Sequence, residues 1–278
     1  MAARCAACHV GPMTRRVEDA AQTLTIISRP DSRDWYTLRF DGADYVRGLP
    51  CPPVPGGVRF ASSPTLGLSV TVDAAIHDRR HPGCRDVSRM GGALVQVTDP
   101  PGVAQCNAVY TILWHACCHQ LSDGMTDRWA ELDPSLQAYA QAGNGISREA
   151  LLGALIERGE LGAAVNAFFE QHDLLICPVY PHVAPSLAEV NSSNALFPHF
   201  TAWCHQSSLP AASLYAGLTA SRLPIGIQIA GGRHADALVL WASHMLERAF
   251  GSAPFAELAR VLSMPTTAAD MTSARCAS

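Results

Sequence analysis

The chain has 278 residues, of which 48% are hydrophobic and 16% are charged. Soluble domains average about 25% charged residues, so this composition excludes a disordered chain and predicts a substantial buried core. The formal net charge is -4, no basic run is longer than Arg79–His81, and all 20 basic residues are arginine, which excludes a nucleic-acid-binding surface and any chemistry that needs a lysine.

The first predicted unit is a short N-terminal segment, residues 1–10, without an apolar run of signal-peptide length. Cys5, Cys8 and His9 have the C-x-x-C-H spacing of covalent haem attachment, in which two thiols bind the vinyl groups and the histidine binds iron. Attachment of that kind normally follows export, so a haem protein is kept only as an alternative and we expect no cofactor. No segment reaches the roughly 20 apolar residues that cross a bilayer, which predicts a cytoplasmic protein with no membrane contact.

The next predicted element is an amphipathic helix in which Val17, Ala21 and Leu24 share one face. It is expected to end at Pro30, where proline cannot continue a helix. Residues 30–57 are rich in Asp, Gly and Pro and predict a loop.

Two short strands are predicted after this loop, over residues 58–64 and 94–98. Residues 72–90 between them predict a helix, and the order strand, helix, strand favours parallel pairing. The following helix carries His115 and His119 beside its apolar stripe, so we expect both histidines on a solvent-exposed flank and no metal site.

A long helix is predicted to begin after an N-cap at Ser147 and to end near His172. Seven of its residues are predicted to be buried: Leu151, Leu152, Leu155, Ile156, Val165, Phe168 and Phe169. The continuous apolar run that follows, residues 173–177, is stopped by Pro178 and is typical of a strand at the centre of a parallel sheet.

Two further apolar segments, residues 210–216 and 223–230, predict strands, and a helix is expected over residues 237–250. Residues 263–278 are rich in Thr, Ala and Ser and predict a disordered tail. Together these elements predict one α/β domain.

Several separated segments of this pattern resemble the amidase signature family. They are GPMTRRVEDAA at 11–21, PDSRDWYTL at 30–38, DLLICPVYP at 173–181 and LPAASLYAGLTASRLPIGIQIAGGRHADALVL at 209–240. They occur in the order of that family with compatible spacing. The resemblance implies a mixed, largely parallel sheet flanked by helices and, in the full-length family, hydrolysis of carbon–nitrogen amide bonds.

The resemblance carries over no catalytic residue. The family uses a serine nucleophile, a second serine in a cis peptide and a lysine, all of which lie before the segment that GPMTRR resembles. Only residues 1–10 precede it here, and they contain no serine, no lysine and no glycine-rich loop. We therefore expect a partial amidase-signature domain over residues 11–262, incomplete at its N-terminal side. This truncated homologue should be inactive alone and should take a small-molecule amide only if the missing half is supplied.

No replacement nucleophile stands out in the sequence. The pairs Ser62–Ser63 and Ser192–Ser193 lie outside any glycine-rich loop, and Cys177 is expected to be a buried structural thiol. Ser208 stands where the family commonly has glycine, so a left-handed backbone at this serine would be strained.

If the cleft of the family is retained, we expect Tyr180, Trp203 and Gln206 at its rim as substrate-binding residues. Packing or surface positions are the alternative interpretation of these three side chains. A second hypothesis for the whole chain is a binding or regulatory module whose missing half comes from another polypeptide. Oligomeric state is left open by the sequence.

Overall fold

The helices and strands form an α/β structure in which one mixed sheet has helices on both faces, as predicted. The computed structural model describes residues 9–33, 42–51, 57–77, 94–186, 190 and 198–251. The predicted tail, Cys5 and Cys8, the pair Ser192–Ser193 and most of the predicted helix at 72–90 lie outside these residues.

The described strands are Arg59–Ser62 (β1), Leu94–Val97 (β2), Leu174–Pro178 (β3), Ala211–Leu218 (β4) and Pro224–Gly231 (β5). The described helices are Val17–Ile27 (α1), Tyr45–Gly48 (α2), Val103–Asp123 (α3), Pro134–Asn144 (α4), Arg148–Gln171 (α5), Ala202–Ser207 (α6) and Asp236–Phe250 (α7), with a 3-10 helix at Thr126–Glu131. A helical turn at 74–77 begins within the predicted helix. Helix α2 corrects the prediction of an uninterrupted loop at 30–57, because Asp44 caps this short helix by accepting a hydrogen bond from the Arg47 amide at 3.1 Å.

The strand order is β2-β1-β3-β5-β4. Strand β1 pairs in parallel with β2 and β3, whereas β5 pairs antiparallel with β3 and β4. All five residues of β3 are buried, which confirms the prediction of a central strand. An ion pair fixes the start of β1 against β3, since the Arg59 guanidinium lies 2.8 Å from the Asp173 carboxylate.

Alternate residues of the strands enter two different hydrophobic clusters. Leu174 and Ile176 point to the face covered by α7, here called the α7 face, where Trp241 and Leu246 pack on them. Leu175 and Cys177 point to the opposite, α6 face. Helices α3, α5 and α6 cover that face with the buried residues Val103, Cys106, Val165, Trp203 and Cys204.

Helix α5 begins as predicted, because the Ser147 hydroxyl accepts a hydrogen bond from the Ala150 amide at 3.1 Å. Its predicted burial is partly wrong. Val165 is fully buried, but Leu152, Leu155 and Ile156 are 60%, 45% and 66% exposed. The helix has apolar residues on more than one face, and only the face around Val165 is directed at the sheet.

The histidines of α3 are half-buried, which corrects the expected solvent-exposed flank. Helix α4 covers them, and the His115 ring stacks on Tyr139 with centroids 5.3 Å apart. The close approach of α4 to α3 requires a glycine in α4, because a Cβ at Gly143 would lie 2.0 Å from the carbonyl oxygen of His115. Burial lowers the pKa of His115.

Candidate functional site

The candidate site lies where β1 and β3 end. Strand β1 lies between β2 and β3 in the sheet. The connection that leaves β1 leads to one side of it and the connection that follows β2 leads to the other, so the order of the strands reverses between β1 and β3. In α/β proteins ligands bind in the crevice at the carboxyl ends of strands at such a switch point. Here the Ser63 amide, just after β1, donates to the Ile176 carbonyl at 3.0 Å and extends the pairing of β1 with β3.

Ser63 is fully buried and engaged in a turn. Its hydroxyl donates to the Asp99 carboxylate and accepts a hydrogen bond from the Leu66 amide at 2.7 Å. Leu66 adopts a left-handed conformation with φ 55°, followed by Gly67 with φ 70°. These contacts make Ser63 a structural turn residue, whereas Ser62 is the last residue of strand β1.

Cys177, at the end of β3, is also a structural group. The residue is 0% exposed, and burial raises the pKa of its thiol to about 12. The Gln228 side chain donates to the sulfur at 3.3 Å and to the Phe200 carbonyl at 2.9 Å. A thiol with so high a pKa is protonated at neutral pH and is not a nucleophile.

Polar side chains follow the carboxyl end of β3. Nδ1 of His182 lies 3.3 Å from the Asp73 carboxylate, which also accepts a hydrogen bond from the Val183 amide at 2.9 Å. That amide lowers the pKa of Asp73, burial opposes it, and His182 lowers it further. Because an ionised carboxylate only accepts hydrogen bonds, Nδ1 of His182 is the donor in this contact. Tyr180 meets the His182 ring edge to face, with centroids 6.0 Å apart.

The three predicted substrate-binding residues do not share one environment. Tyr180 is half-buried, whereas Trp203 is 0% exposed and Gln206 is 2% exposed. Trp203 packs in the cluster of the α6 face and donates from Nε1 to the Phe200 carbonyl at 3.0 Å. Neither polar atom of the Gln206 side chain has a hydrogen-bond partner within the described residues. The substrate-binding assignment stays a prediction.

A histidine pair lies at the C-terminal end of α6. Nδ1 of His9 and Nδ1 of His205 are 2.9 Å apart, and their rings stack. Burial, and after it the charges of His9 and Arg158, lower the pKa of His205 to about 4. Arg158 holds the end of the helix by donating to the Gln206 carbonyl at 3.2 Å.

Ser208, directly after α6, has φ 54° and ψ 48°. Ser208 thus has the left-handed backbone for which the sequence predicted strain at a serine. The amide of the next residue, Leu209, donates to the Cys204 carbonyl at 3.0 Å and fixes the turn that ends α6.

The described residues contain no group of three or more His, Cys, Asp or Glu side chains placed to hold a metal ion. Among the same residues, no helix has the length and apolar character that a membrane crossing requires. His9, the described member of the haem-like motif, is paired with His205. The candidate site combines the pair of His182 and Asp73 with buried structural groups at Ser63 and Cys177.

Comparison with known proteins identifies the family. The chain matches the family described as Amidase over residues 5–240. It belongs to the amidase family. Two relatives are the glutamyl-tRNA(Gln) amidotransferase subunits A of Oleidesulfovibrio alaskensis, 26% identical over 282 residues, and of Anaeromyxobacter sp., 28% identical over 276 residues. These two matches cover 90% and 88% of this chain.

Solved structures agree with this fold. A bacterial aryl acylamidase of the amidase signature family superposes with a TM-score of 0.76 at 23% identity, over 89% of this chain and 54% of its own. A 6-aminohexanoate cyclic dimer hydrolase superposes with a TM-score of 0.76 at 18% identity, over 86% of this chain and 55% of its own. The chain also spans little more than half the length of the curated relatives. It covers 57% of the Oleidesulfovibrio alaskensis subunit and 55% of the Anaeromyxobacter sp. subunit.

Sequence reasoning missed the partners of the site residues. Asp99 directly follows the strand predicted at 94–98 and Asp73 falls in the helix predicted at 72–90, but neither was recognised as a site residue. The contact between His9 and His205 joins residues 196 positions apart, and no local pattern in the sequence signals it.

Proposed function

We propose that this amidase-family chain forms part of an amide-hydrolysing site and hydrolyses no amide bond by itself. The observation that carries the proposal is that the candidate nucleophiles are buried and not activated. Ser63 and Cys177 are buried and hydrogen-bonded, and the thiol of Cys177 has a pKa of about 12. The sequence also contains no lysine to complete the proton relay of the family.

The polypeptide that carries the serine nucleophile, the second serine and the lysine would complete the site, whether it is joined to this chain or separate. Family membership supports a small-molecule amide as the substrate. Of the predicted contacts Tyr180, Trp203 and Gln206, Tyr180 has the exposed surface that a ligand reaches directly. The chain acts without a cofactor in this proposal and is cytoplasmic.

An assay of the purified chain tests the proposal. Release of ammonia from glutamine and of aniline from an aryl acylamide should equal the buffer rate, because no activated nucleophile is present. The matched controls are Ser63→Ala and Cys177→Ala, which should behave as the parent protein does. Turnover that co-elutes with the chain and disappears in either variant would contradict the proposal.

A partner-dependent module is the second candidate, supported by the relatives that are named as a subunit of an amidotransferase. In this case a second polypeptide with a lysine and a Gly/Ser-rich segment binds the chain in fixed stoichiometry. Mixing the two should produce amide hydrolysis that neither shows alone. Hydrolysis by the second polypeptide at the same rate without this chain would exclude the partner role.

A further inference from the structure

Two histidines from distant parts of the chain converge at the C-terminal end of α6. Their Nδ1 atoms lie 2.9 Å apart, and the rings are within 8° of parallel. His9 is exposed and His205 is half-buried, so the ring of His9 can move without disturbing the core. Two Zn–N bonds of about 2.0–2.1 Å in a tetrahedral site set the two nitrogen atoms about 3.3 Å apart. A small opening of this pair therefore admits a metal ion that both Nδ1 atoms bind.

Both imidazoles are held in the protonation state that binds metals. Burial and, after it, the charge of Arg158 lower the pKa of His9, and the pKa of His205 is lowered to about 4 as described above. A neutral imidazole is a common metal ligand, because a protonated ring has no lone pair to donate. The Arg158 guanidinium, which donates to the Gln206 carbonyl at 3.2 Å, repels a cation bound by neutral ligands alone. A metal ion at this place therefore needs anionic ligands besides the two histidines.

The sequence supplies two such ligands next to His9. Cys5 and Cys8 lie outside the described residues, and they stand four and one positions before His9 in the chain. Because extended backbone spans at most about 3.6 Å per residue, the α-carbon of Cys5 is within about 14 Å of that of His9 in any conformation. C-x-x-C is a ligand spacing of structural zinc sites, and two thiolates with two imidazoles form a Cys2His2 set. The charge of two thiolates also balances that of Zn²⁺, which removes the repulsion from Arg158.

We propose that His9 and His205 bind a zinc ion through Nδ1, and that the thiolates of Cys5 and Cys8 complete a tetrahedral site. Each thiol releases its proton to solvent when the metal binds. The zinc ion ties the N-terminal segment to the end of α6, since His9 and His205 are 196 positions apart in the chain. It is a structural ion that takes no part in amide hydrolysis, so this proposal does not depend on the proposed function.

The metal content of the full chain tests the proposal. The chain, made without a metal-binding tag and dialysed under reducing conditions, should carry one zinc ion per molecule by elemental mass spectrometry. Replacement of zinc by Co²⁺ should produce the visible bands of a tetrahedral site and a thiolate-to-cobalt charge-transfer band. His205→Gln should weaken Co²⁺ binding at least about 100-fold, because loss of even an outer-shell partner costs about 10–100-fold. The matched control is His77→Gln, at an exposed histidine, which should bind Co²⁺ as the parent chain does.

Cysteine variants test the other half of the ligand set. Cys5→Ser combined with Cys8→Ser should remove the charge-transfer band and the bound zinc, whereas Cys51→Ser, at an exposed free cysteine, should change neither. Far-UV circular dichroism verifies that each variant is folded, and His9→Gln, at an exposed residue, replaces His205→Gln if that variant does not fold.

Three results would overturn the proposal. The first is a parent chain that carries no stoichiometric zinc and gives no tetrahedral cobalt spectrum. The second is a cobalt spectrum that the histidine variant leaves unchanged, because the metal would then be bound without the histidine pair. The third is a Soret band in the purified chain, which would assign the two thiols to covalent haem.

Discussion

The two faces of the sheet are buried by different chemistry. The α7 face is filled by aliphatic and aromatic side chains, including Ile227, Ile229 and Leu246. The α6 face contains three buried cysteines, and the carboxamide of Gln228 reaches Cys177 there. The α6 face, which includes Cys177 at the end of β3, therefore holds buried polar side chains next to the candidate site. The α6 face combines packing with polar groups that cost stability when they lack partners.

Loss of an aromatic side chain from either face should have the largest effect, because both faces form core. Trp203→Ala on the α6 face should lower the free energy of unfolding by about 3–5 kcal/mol, and Trp241→Ala on the α7 face should do the same. Chemical denaturation measures both. A loss below about 1 kcal/mol for Trp203→Ala would show that the α6 face is not packed as described.

The two buried glutamines should respond with opposite signs. Gln206→Leu should raise the free energy of unfolding by about 1–3 kcal/mol, because within the described part of the chain its carboxamide has no hydrogen-bond partner. Gln228→Leu is the matched control. It should lower the same quantity by about 1 kcal/mol, because it loses the bonds to Cys177 and Phe200. Equal signs in the denaturation curves would refute the assignment of Gln206 as the unpaired group.

Stability should fall with acid through His205. Burial, then the charges of His9 and Arg158, lower the pKa of His205 to about 4 from an ordinary value of 6.5. The unfolded chain therefore binds the proton first, so the stability is complete above pH 6.5 and is lost as the pH falls towards 4. His205→Asn should flatten the dependence of the unfolding midpoint on pH in this window. The exposed His77→Gln is the control, and an unchanged slope in His205→Asn would contradict the expectation.

A backbone change on the α6 side should give the smallest effect. Ser208→Gly should raise the free energy of unfolding by about 1 kcal/mol, because glycine adopts φ 54° without a Cβ conflict. Ser69→Gly, at an exposed serine outside the left-handed region, should give no gain. The comparison is made by thermal or chemical unfolding, and a gain of equal size at Ser69 would remove backbone strain as the cause.

Much of the fold follows from local patterns. The apolar run at 173–177 predicted the central strand β3, and the spacing in residues 237–250 predicted α7. Ser147 as an N-cap and Ser208 as a strained residue were also predicted, because each depends on the backbone around one residue.

Burial was less predictable where one element has two apolar sides. The sequence of α5 predicts a helix, but it does not say that Leu152 and Ile156 lie opposite the face of Val165 that meets the sheet. The burial of His115 depends on Gly143 in another helix, which periodicity within α3 cannot reveal.

The candidate site was the least predictable part. Resemblance to a family pointed to Tyr180 and Trp203, but it carries no information on which side chain is exposed and which lies in the core. The partners that define the site, Asp73 for His182 and Asp99 for Ser63, come from loops far along the chain. Only the assembled sheet brings them to the ends of β1 and β3.

The most direct test of the central claim is the intact mass of the chain after incubation with a fluorophosphonate, which forms a covalent bond with activated serine nucleophiles in hydrolases. The account predicts an unchanged mass, because the Ser63 hydroxyl is buried and donates to Asp99. One stoichiometric adduct on a serine, lost after denaturation of the chain before labelling, would show an activated nucleophile and contradict the account.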